Sequence, residues 1–145
     1  MFSAVDLIHD EAIDEEGFDN GNGFMETFNA KTYRDLHVWQ RSIKLAKDIY
    51  QLTGKFPQQE VFGLTNQLRR ASVSVPSNIA EGQGRQYKKE FVQFLYLAIG
   101  SLGELDTQLV LAEEIGYIDR EELTRLTNEI GEIRKMLFGL IQSLR

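Results

Sequence analysis

Apolar residues recur in steps of three and four along the second half of the chain, which is the spacing of one helix face. Two runs of seven keep this spacing without a break. They are Phe91, Leu95, Ala98, Leu102, Leu105, Leu109 and Ala112, followed by Leu123, Leu126, Ile130, Ile133, Leu137, Leu140 and Leu144. We predict one helix over about 88–114 and another from Asp119, which has capping-box spacing with Glu122.

The first half of the chain carries two shorter amphipathic patterns. Asp35 is a suitable N-cap for a helix over about 36–53, and Gly54 is a suitable stop. The predicted core stripe of this helix is Leu36, Trp39, Ile43, Ala46 and Tyr50, widened by Val38, Leu45, Ile49 and Leu52. We expect a second helix to begin near Pro57 and to end near Gly84.

The second predicted helix contains Pro76, which lacks the N–H that a helix interior needs. Its apolar phase nevertheless continues past the proline, through Val61, Leu64, Leu68, Ala71, Val75, Ile79 and Gly82. We therefore expect one helix that is kinked at Pro76. Neighbouring polar side chains are placed to bond the disturbed carbonyls: Ser72, Ser74, Ser77 and Asn78.

Four amphipathic helices joined by short loops predict an all-α fold, an antiparallel up-down-up-down four-helix bundle. No stretch has a strand pattern. In 91–99, eight of nine residues are apolar or aromatic, more than one core stripe requires. We expect this segment to face another subunit as well, through Phe94, Tyr96, Leu97 and Ile99. The alternative is a single, unusually wide core stripe.

Charge divides the chain into two parts. Residues 1–29 hold eight acids and no Lys or Arg, so residues 30–145 hold the other 14 acids against all 16 bases. We expect 1–29 to be an acidic, flexible leader and 30–145 to be the bundle domain. Three alternatives stay open for the leader: a disordered tail, a segment that docks on a basic surface or a neighbouring subunit, and a misassigned start before Met25.

Several classes of protein are disfavoured by composition. No run approaches the roughly 18 uncharged apolar residues of a membrane span, and the N-terminus has no secretory signal. The absence of cysteine excludes disulfides and thiolate chemistry. We therefore expect a cytoplasmic protein without a membrane partner.

Signals for catalysis are poor. His9 and His37 have no partners at metal-ligand spacing, and no motif suggests a cofactor, so we expect neither a metal nor a cofactor. Gly82-Gln83-Gly84-Arg85 lacks the rest of a phosphate-loop motif. We interpret its glycines as the end of helix two.

Basic residues give the more specific hypothesis. A turn that combines cations with one aromatic ring can hold phosphates and stack a base, which makes Arg85, Tyr87, Lys88 and Lys89 candidate nucleic-acid contacts. Arg70 is a further candidate. Because Arg69-Arg70 lies between core positions, we expect one of the two to need a carboxylate, with Glu81 or Glu104 as partner.

Three long segments resemble one bacterial family. They are YRDLHVWQRSIKLAKDIYQLT at 33–53, FPQQEVFGLTNQLRRASVSVPSNIAEGQGR at 56–85 and EFVQFLYLAIGSLGELDTQL at 90–109. They are similar to the four-helix-bundle proteins encoded in intervening sequences of large-subunit ribosomal RNA genes. The resemblance spans about 31–144. Its most specific positions are Ser77, Asn78, Glu81, Gly82, Gly84 and Arg85.

The resemblance implies a left-handed antiparallel bundle that assembles into a homopentameric ring. A more distant branch resembles the accessory proteins of diversity-generating retroelements, which are basic pentamers that bind nucleic acid and a reverse transcriptase. The acidic overall charge of this chain departs from that branch. No catalytic residues are carried over, because none are established for the family.

Two hypotheses follow from these observations. The first is a non-enzymatic oligomer that binds structured RNA, or a complex of nucleic acid and protein, through its basic surface. The second is a protein-interaction scaffold, for example a reverse-transcriptase accessory subunit, with no direct role in nucleic-acid binding. An enzyme is the least favoured reading.

Overall fold

The computed structural model describes residues 30–145, and four α-helices make up most of them. The helices are α1 (His37–Thr53), α2 (Leu64–Gln83), α3 (Lys88–Glu114) and α4 (Arg120–Ser143). Short 3-10 turns lie at Tyr33–Asp35 and Gln58–Glu60. Within 30–145 there is no strand, which confirms the all-α prediction. The predicted leader, 1–29, and its alternatives lie outside the described residues.

Contacts between the helices establish the antiparallel order. The hydroxyls of Ser74 on α2 and Ser101 on α3 lie 2.8 Å apart. Thr127 on α4 donates to Asp106 on α3 at 3.2 Å. Between α1 and α4, Arg41 pairs with Glu129 and Asp48 with Arg125. The helices therefore run up, down, up and down.

This order brings the loops together at two ends of the bundle. We define the α2–α3 end as residues 30–36, 80–90 and 140–145, and the α3–α4 end as residues 54–63 and 111–122. The turn Tyr33–Asp35 contacts α2, which places the start of the described chain at the α2–α3 end.

The core consists of the heptad positions that the sequence predicts for α3 and α4. All seven predicted positions of α3 are fully buried, and all seven of α4 are buried as well. In α2 the core positions are Leu64, Leu68, Ala71, Val75 and Ile79. The capping box of α4 is also confirmed, because the Asp119 carboxylate accepts from the Glu122 N–H at 2.7 Å.

The start of α1 differs from the prediction. Asp35 belongs to the preceding 3-10 turn, where its carboxylate accepts from the N–H groups of Lys31 and Thr32. These two hydrogen bonds lower the pKa of Asp35. Leu36 is the N-cap of α1 and has no side-chain cap.

The buried face of α1 is also rotated from the predicted stripe. Ile43 and Tyr50 are exposed, and the face instead consists of Val38, Ser42, Leu45, Ala46, Ile49, Leu52 and Thr53. The residues expected only to widen the stripe therefore form its centre.

The start of α2 corrects a second prediction. Pro57 precedes the 3-10 turn Gln58–Glu60, and α2 begins only at Leu64. The Glu60 carboxylate accepts from the Leu64 N–H at 3.2 Å and from the Tyr117 hydroxyl at 2.8 Å. This carboxylate holds the loop against the α3–α4 turn, so Val61 lies outside the helix and is exposed.

Two features of α2 and α3 bear on the remaining fold predictions. α2 continues through Pro76 as a single helix, as predicted. By length and composition alone, α3 is long and apolar enough to cross a membrane. Its buried stripe packs against α2 and α4, and the core helix of a bundle has the same composition. The expectation of no membrane partner stays a prediction.

Candidate nucleic-acid interface

Charge is unevenly divided between the two ends of the bundle. The α2–α3 end holds six bases and three acids, whereas the α3–α4 end holds two bases and six acids. The six bases are Lys31, Arg34, Arg85, Lys88, Lys89 and Arg145. Since exposed charges act over about 10 Å at moderate salt, each end presents its own field to a ligand. The α2–α3 end therefore has a net positive charge and the α3–α4 end a net negative charge.

The turn between α2 and α3 presents the predicted aromatic and lysine side chains together. Tyr87 is the N-cap of α3, and its side chain is 59% exposed. Lys88 and Lys89 follow at once in the first turn; Lys89 is exposed and Lys88 is half-buried. Together with Lys31 and Arg34 they make no ion pair within residues 30–145. These four cations are available to phosphates.

Arg85 occupies a different position from its lysine neighbours. Its guanidinium pairs with Glu81 at 3.1 Å and lies over the Phe94 ring, 4.8 Å from the centroid. Arg85, which the sequence predicts as a nucleic-acid contact, therefore also links the end of α2 to the start of α3. Exposed ion pairs are weak, so the guanidinium can still reach a ligand.

Gly82 explains why the chain needs a glycine before this turn. A Cβ atom at Gly82 would lie 2.6 Å from the Cβ of Phe94 and 3.0 Å from a ring carbon of Phe91. Any larger side chain would push α3 away from α2. Gly84, in contrast, has right-handed geometry, and a Cβ there would make ordinary contacts of 3.6 Å with the carbonyl oxygens of Ala80 and Glu81, so nothing in the fold demands glycine there.

Of the polar side chains around Pro76, Ser74 joins α2 to α3 by a hydrogen bond, whereas Ser72 and Asn78 bond within α2. The Asn78 amide donates to the carbonyl and the hydroxyl oxygen of Ser74, which in turn contacts Ser101. Ser72 donates to the Arg69 carbonyl. None of these bonds reaches the Ser72 carbonyl, which Pro76 leaves without its helical donor. Much of the specific motif therefore fixes the packing of two helices.

Arg69 and Arg70 lie at a separate site. Arg69 donates to the Thr53 hydroxyl at 2.9 Å and stacks on Tyr50, 4.6 Å from the ring centroid. The expected carboxylate partner is wrong, because Glu81 pairs with Arg85 and Glu104 accepts from Gln108. The Arg69 guanidinium instead donates to the Thr53 hydroxyl and the Tyr50 carbonyl and stacks on the Tyr50 ring.

Arg70 is exposed beside an open groove of about 470 Å³. The groove is lined by Tyr50, Asn66, Arg69, Arg70, Val73, Ser74 and Ser77. From Arg70 to the end of α2 at Gln83 is about 20 Å at 1.5 Å per residue. The predicted nucleic-acid residues therefore form two groups, with Arg85, Tyr87, Lys88 and Lys89 at the turn and Arg70 at the groove. The motif residue Ser77 also lines the groove.

The four predicted interface residues of α3 lie on different sides of the helix. Phe94 packs beneath Arg85, and Ile99 packs against the core. Tyr96 meets the Phe138 ring edge-on at 6.3 Å and accepts from Arg145 at 2.8 Å. Leu97 is 56% exposed. A subunit contact at this segment would rest mainly on Leu97, and the interface itself stays a prediction.

A group of exposed apolar side chains at the α3–α4 end escaped the sequence reasoning. Phe62 is 94% exposed, and Val61, Leu111 and Ile115 are each at least 40% exposed. A signal for two of them was available, because Leu111 and Ile115 lie outside the heptad stripe of α3. The sequence did not indicate that Phe62 is exposed, since its exposure depends on α2 beginning only at Leu64.

Residues that could bind a metal ion are dispersed over the described part of the chain. In residues 30–145 there is no group of three or more His, Asp or Glu that could hold a metal ion. His37 lies in the first turn of α1, and His9 lies outside the described residues. The pKa of Tyr117 is raised by its hydrogen bond to Glu60, but that contact belongs to the loop packing.

Comparison with known proteins gives a family and a fold. The family model for "23S rRNA-intervening sequence protein" matches residues 34–139. A crystal structure from Bacteroides thetaiotaomicron, a protein of unknown function from the S23 ribosomal protein family, has 28% identity and a TM-score of 0.65. The alignment covers 72% of this chain and 97% of that one. No curated protein matches. Because this family model spans most of the bundle, the chain belongs to the 23S rRNA-intervening sequence protein family.

Proposed function

We propose that this protein is a non-enzymatic, oligomeric four-helix bundle that binds structured RNA through its α2–α3 end. The observation that carries the proposal is that the α2–α3 end holds four cations without ion pairs within residues 30–145, Lys31, Arg34, Lys88 and Lys89, and the exposed ring of Tyr87. The family description refers to intervening sequences of 23S rRNA, which supports RNA as the first ligand to test.

The chemistry of the α2–α3 end suits a phosphate backbone. Each lysine or arginine that neutralises a phosphate releases a counterion, so affinity falls steeply as salt rises. An exposed tyrosine can stack an unpaired base, a contact worth about 1–3 kcal/mol. RNA loops and ends provide such bases, whereas a regular duplex does not.

Reversing the charge of Lys88 and Lys89 tests the proposal. The variant K88E/K89E should bind a labelled RNA hairpin at least about tenfold more weakly, and the slope of log K against log salt should shrink by about 1.5. The matched control is K44E/K47E, which makes the same charge change on the exposed side of α1. Equal losses in both variants would overturn the assignment of the site.

A second candidate function, a protein-interaction scaffold such as a reverse-transcriptase accessory subunit, is favoured by the α3–α4 end. Phe62 projects almost completely into solvent, and Leu111 and Ile115 are also exposed. Exposed apolar groups of this kind occur at protein–protein contacts. Absence of salt-sensitive RNA binding by the wild-type chain would favour this function over the first.

The oligomeric part of the proposal has its own test. We propose a closed ring with a head-to-tail interface, in which Leu97 is the outward-facing anchor on α3. The substitution L97D should shift the sedimentation coefficient toward the monomer. L111D, at another exposed site on the same helix, is the control; an unchanged oligomer in L97D would place the contact elsewhere.

A further inference from the structure

The α2–α3 end carries more positive charge than its own acids neutralise. Of its three acids, Asp35 accepts from the backbone N–H groups of Lys31 and Thr32, and Glu81 pairs with Arg85. Bases elsewhere on the bundle are better matched, for example Arg41 with Glu129 at 2.7 Å and Arg120 with Glu113 at 2.7 Å. The α2–α3 end therefore has the charge of a surface that receives an acidic partner.

The chain itself supplies such a partner at the right place. Residues 1–29 hold eight acids and no Lys or Arg, and they join the bundle at residue 30, within the α2–α3 end. The acids are Asp6, Asp10, Glu11, Asp14, Glu15, Glu16, Asp19 and Glu26. Complementary charge and covalent attachment therefore coincide at one end of the molecule.

Chain length favours that end over the opposite one. Glu26 lies four residues before Ala30, which allows a reach of about 14 Å when the chain is extended. The length of α1, about 26 Å, separates this point from the α3–α4 end. Acids further back, such as Asp14 and Asp19, can reach either end, but six acids repel them at the far one. Tethering also gives the segment an effective concentration in the millimolar range.

We propose that the acidic segment 1–29 docks on the α2–α3 end of its own bundle and competes there with polyanionic ligands. The docking rests on charge and attachment alone, whereas the competition rests on the proposed RNA-binding function. Segment 1–29 and RNA compete for the same cations. Because RNA must displace the segment, the affinity of the full chain for RNA is lower than that of the cations without the segment.

Carbodiimide crosslinking of the full chain tests the docking without RNA, because it joins a carboxylate to a lysine amine in direct contact. We expect crosslinks from Asp14–Asp19 to Lys88 or Lys89, and their loss at high salt. Lys44, Lys47 and Lys55 are internal controls. Absence of crosslinks, or equal crosslinking to these controls, would overturn the proposal. In a mixture of light and heavy isotope-labelled chains, crosslinks of mixed mass would overturn docking on the chain's own bundle.

Competition is tested separately by neutralising acids in the full chain. The variant D14N/E15Q/E16Q/D19N should bind an RNA hairpin about tenfold more tightly at about 50 mM salt, and the gain should shrink at about 200 mM. The control, with the same charge change, carries Gln at Glu104, Glu114, Glu121 and Glu132. Equal gains in both variants would overturn the competition. Crosslinks to Lys88 without any RNA binding would leave the docking intact and refute the proposed function instead.

Discussion

The two ends of the bundle are built from the same kind of element, a short loop between antiparallel helices, yet they differ in chemistry. The α2–α3 end holds Lys31, Lys88 and Lys89 together with the exposed ring of Tyr87. At the α3–α4 end, six acids lie among exposed apolar side chains such as Phe62 and Ile115. We propose on this basis that a polyanion binds at one end and an apolar partner surface at the other.

The difference shows that the loops of this fold can vary in chemistry while the packing of the helices is kept. The heptad stripes of α3 and α4 supply much of the core, and the segments outside the helices add Ala30, Leu36, Phe56 and Ile118. Each loop is also held firmly: Gly82 lets α2 and α3 touch at one end, and Glu60 joins Tyr117 to Leu64 at the other. Fixed loops can carry different chemistry on an unchanged core.

The largest expected effect comes from breaking the close contact at the α2–α3 end. Replacing Gly82 by Ala places a Cβ 2.6 Å from that of Phe94, and neither backbone can move away without separating α2 from α3. We expect a loss of about 2–3 kcal/mol in the free energy of unfolding, as is typical of overpacking. Urea unfolding at a fixed protein concentration measures it.

The control for this variant is a helical glycine with open space. Nothing lies within 4 Å of a Cβ built at Gly131 in α4. The substitution G131A should therefore stabilise the protein by up to about 1 kcal/mol, since alanine favours helix more than glycine. Destabilisation of the same size in both variants would show that the Gly82 contact is not special.

A charge reversal at the α3–α4 end should reduce the difference in RNA affinity between the two ends. Glu114 and Glu121 are exposed and make no ion pair within residues 30–145. E114K/E121K should add RNA affinity at about 50 mM salt, by a few-fold, because it removes repulsion and creates new phosphate contacts. No gain would mean that RNA binding depends on the geometry around Tyr87 and not on charge alone.

The smallest expected effect concerns pH and the loop contact at the α3–α4 end. The hydrogen bond to Glu60 raises the pKa of Tyr117 above its ordinary value of about 10. Because the folded pKa is the higher one, this stabilisation is present below pH about 10 and is lost as pH rises through the folded value. The urea midpoint of Y117F should consequently fall less than that of wild type between neutral and strongly alkaline pH; parallel curves would contradict it.

The long-range heptad pattern was sufficient to predict α3 and α4. Their seven-residue stripes are buried, and α3 has the predicted bounds Lys88–Glu114. Such helices are predictable because one periodic signal continues over more than twenty residues. The same signal misplaced the start of α2, since Val61 is in phase with the stripe while Glu60 and Gly63 form a separate turn.

The candidate site was predictable only in part. Composition identified Tyr87, Lys88 and Lys89, but the distance between them and Arg70 required the fold. The partners of Arg69 could not be predicted from charge, because they are the uncharged Thr53 hydroxyl and the ring of Tyr50. The separation of the two ends depends on antiparallel packing, which brings the turn Tyr33–Asp35 into contact with α2 although the two are far apart in sequence.

Lysine footprinting with and without RNA tests the central claim most directly, in the D14N/E15Q/E16Q/D19N variant of the full chain so that the acidic segment does not itself cover the lysines. The seven lysines sample the whole bundle: Lys31, Lys88 and Lys89 lie at the α2–α3 end, Lys55 at the other, and Lys44, Lys47 and Lys135 between them. Our account predicts that an RNA hairpin slows acetylation of the first three and leaves Lys55, Lys44 and Lys47 unchanged. Protection of Lys55, or uniform protection of all seven lysines, would contradict it.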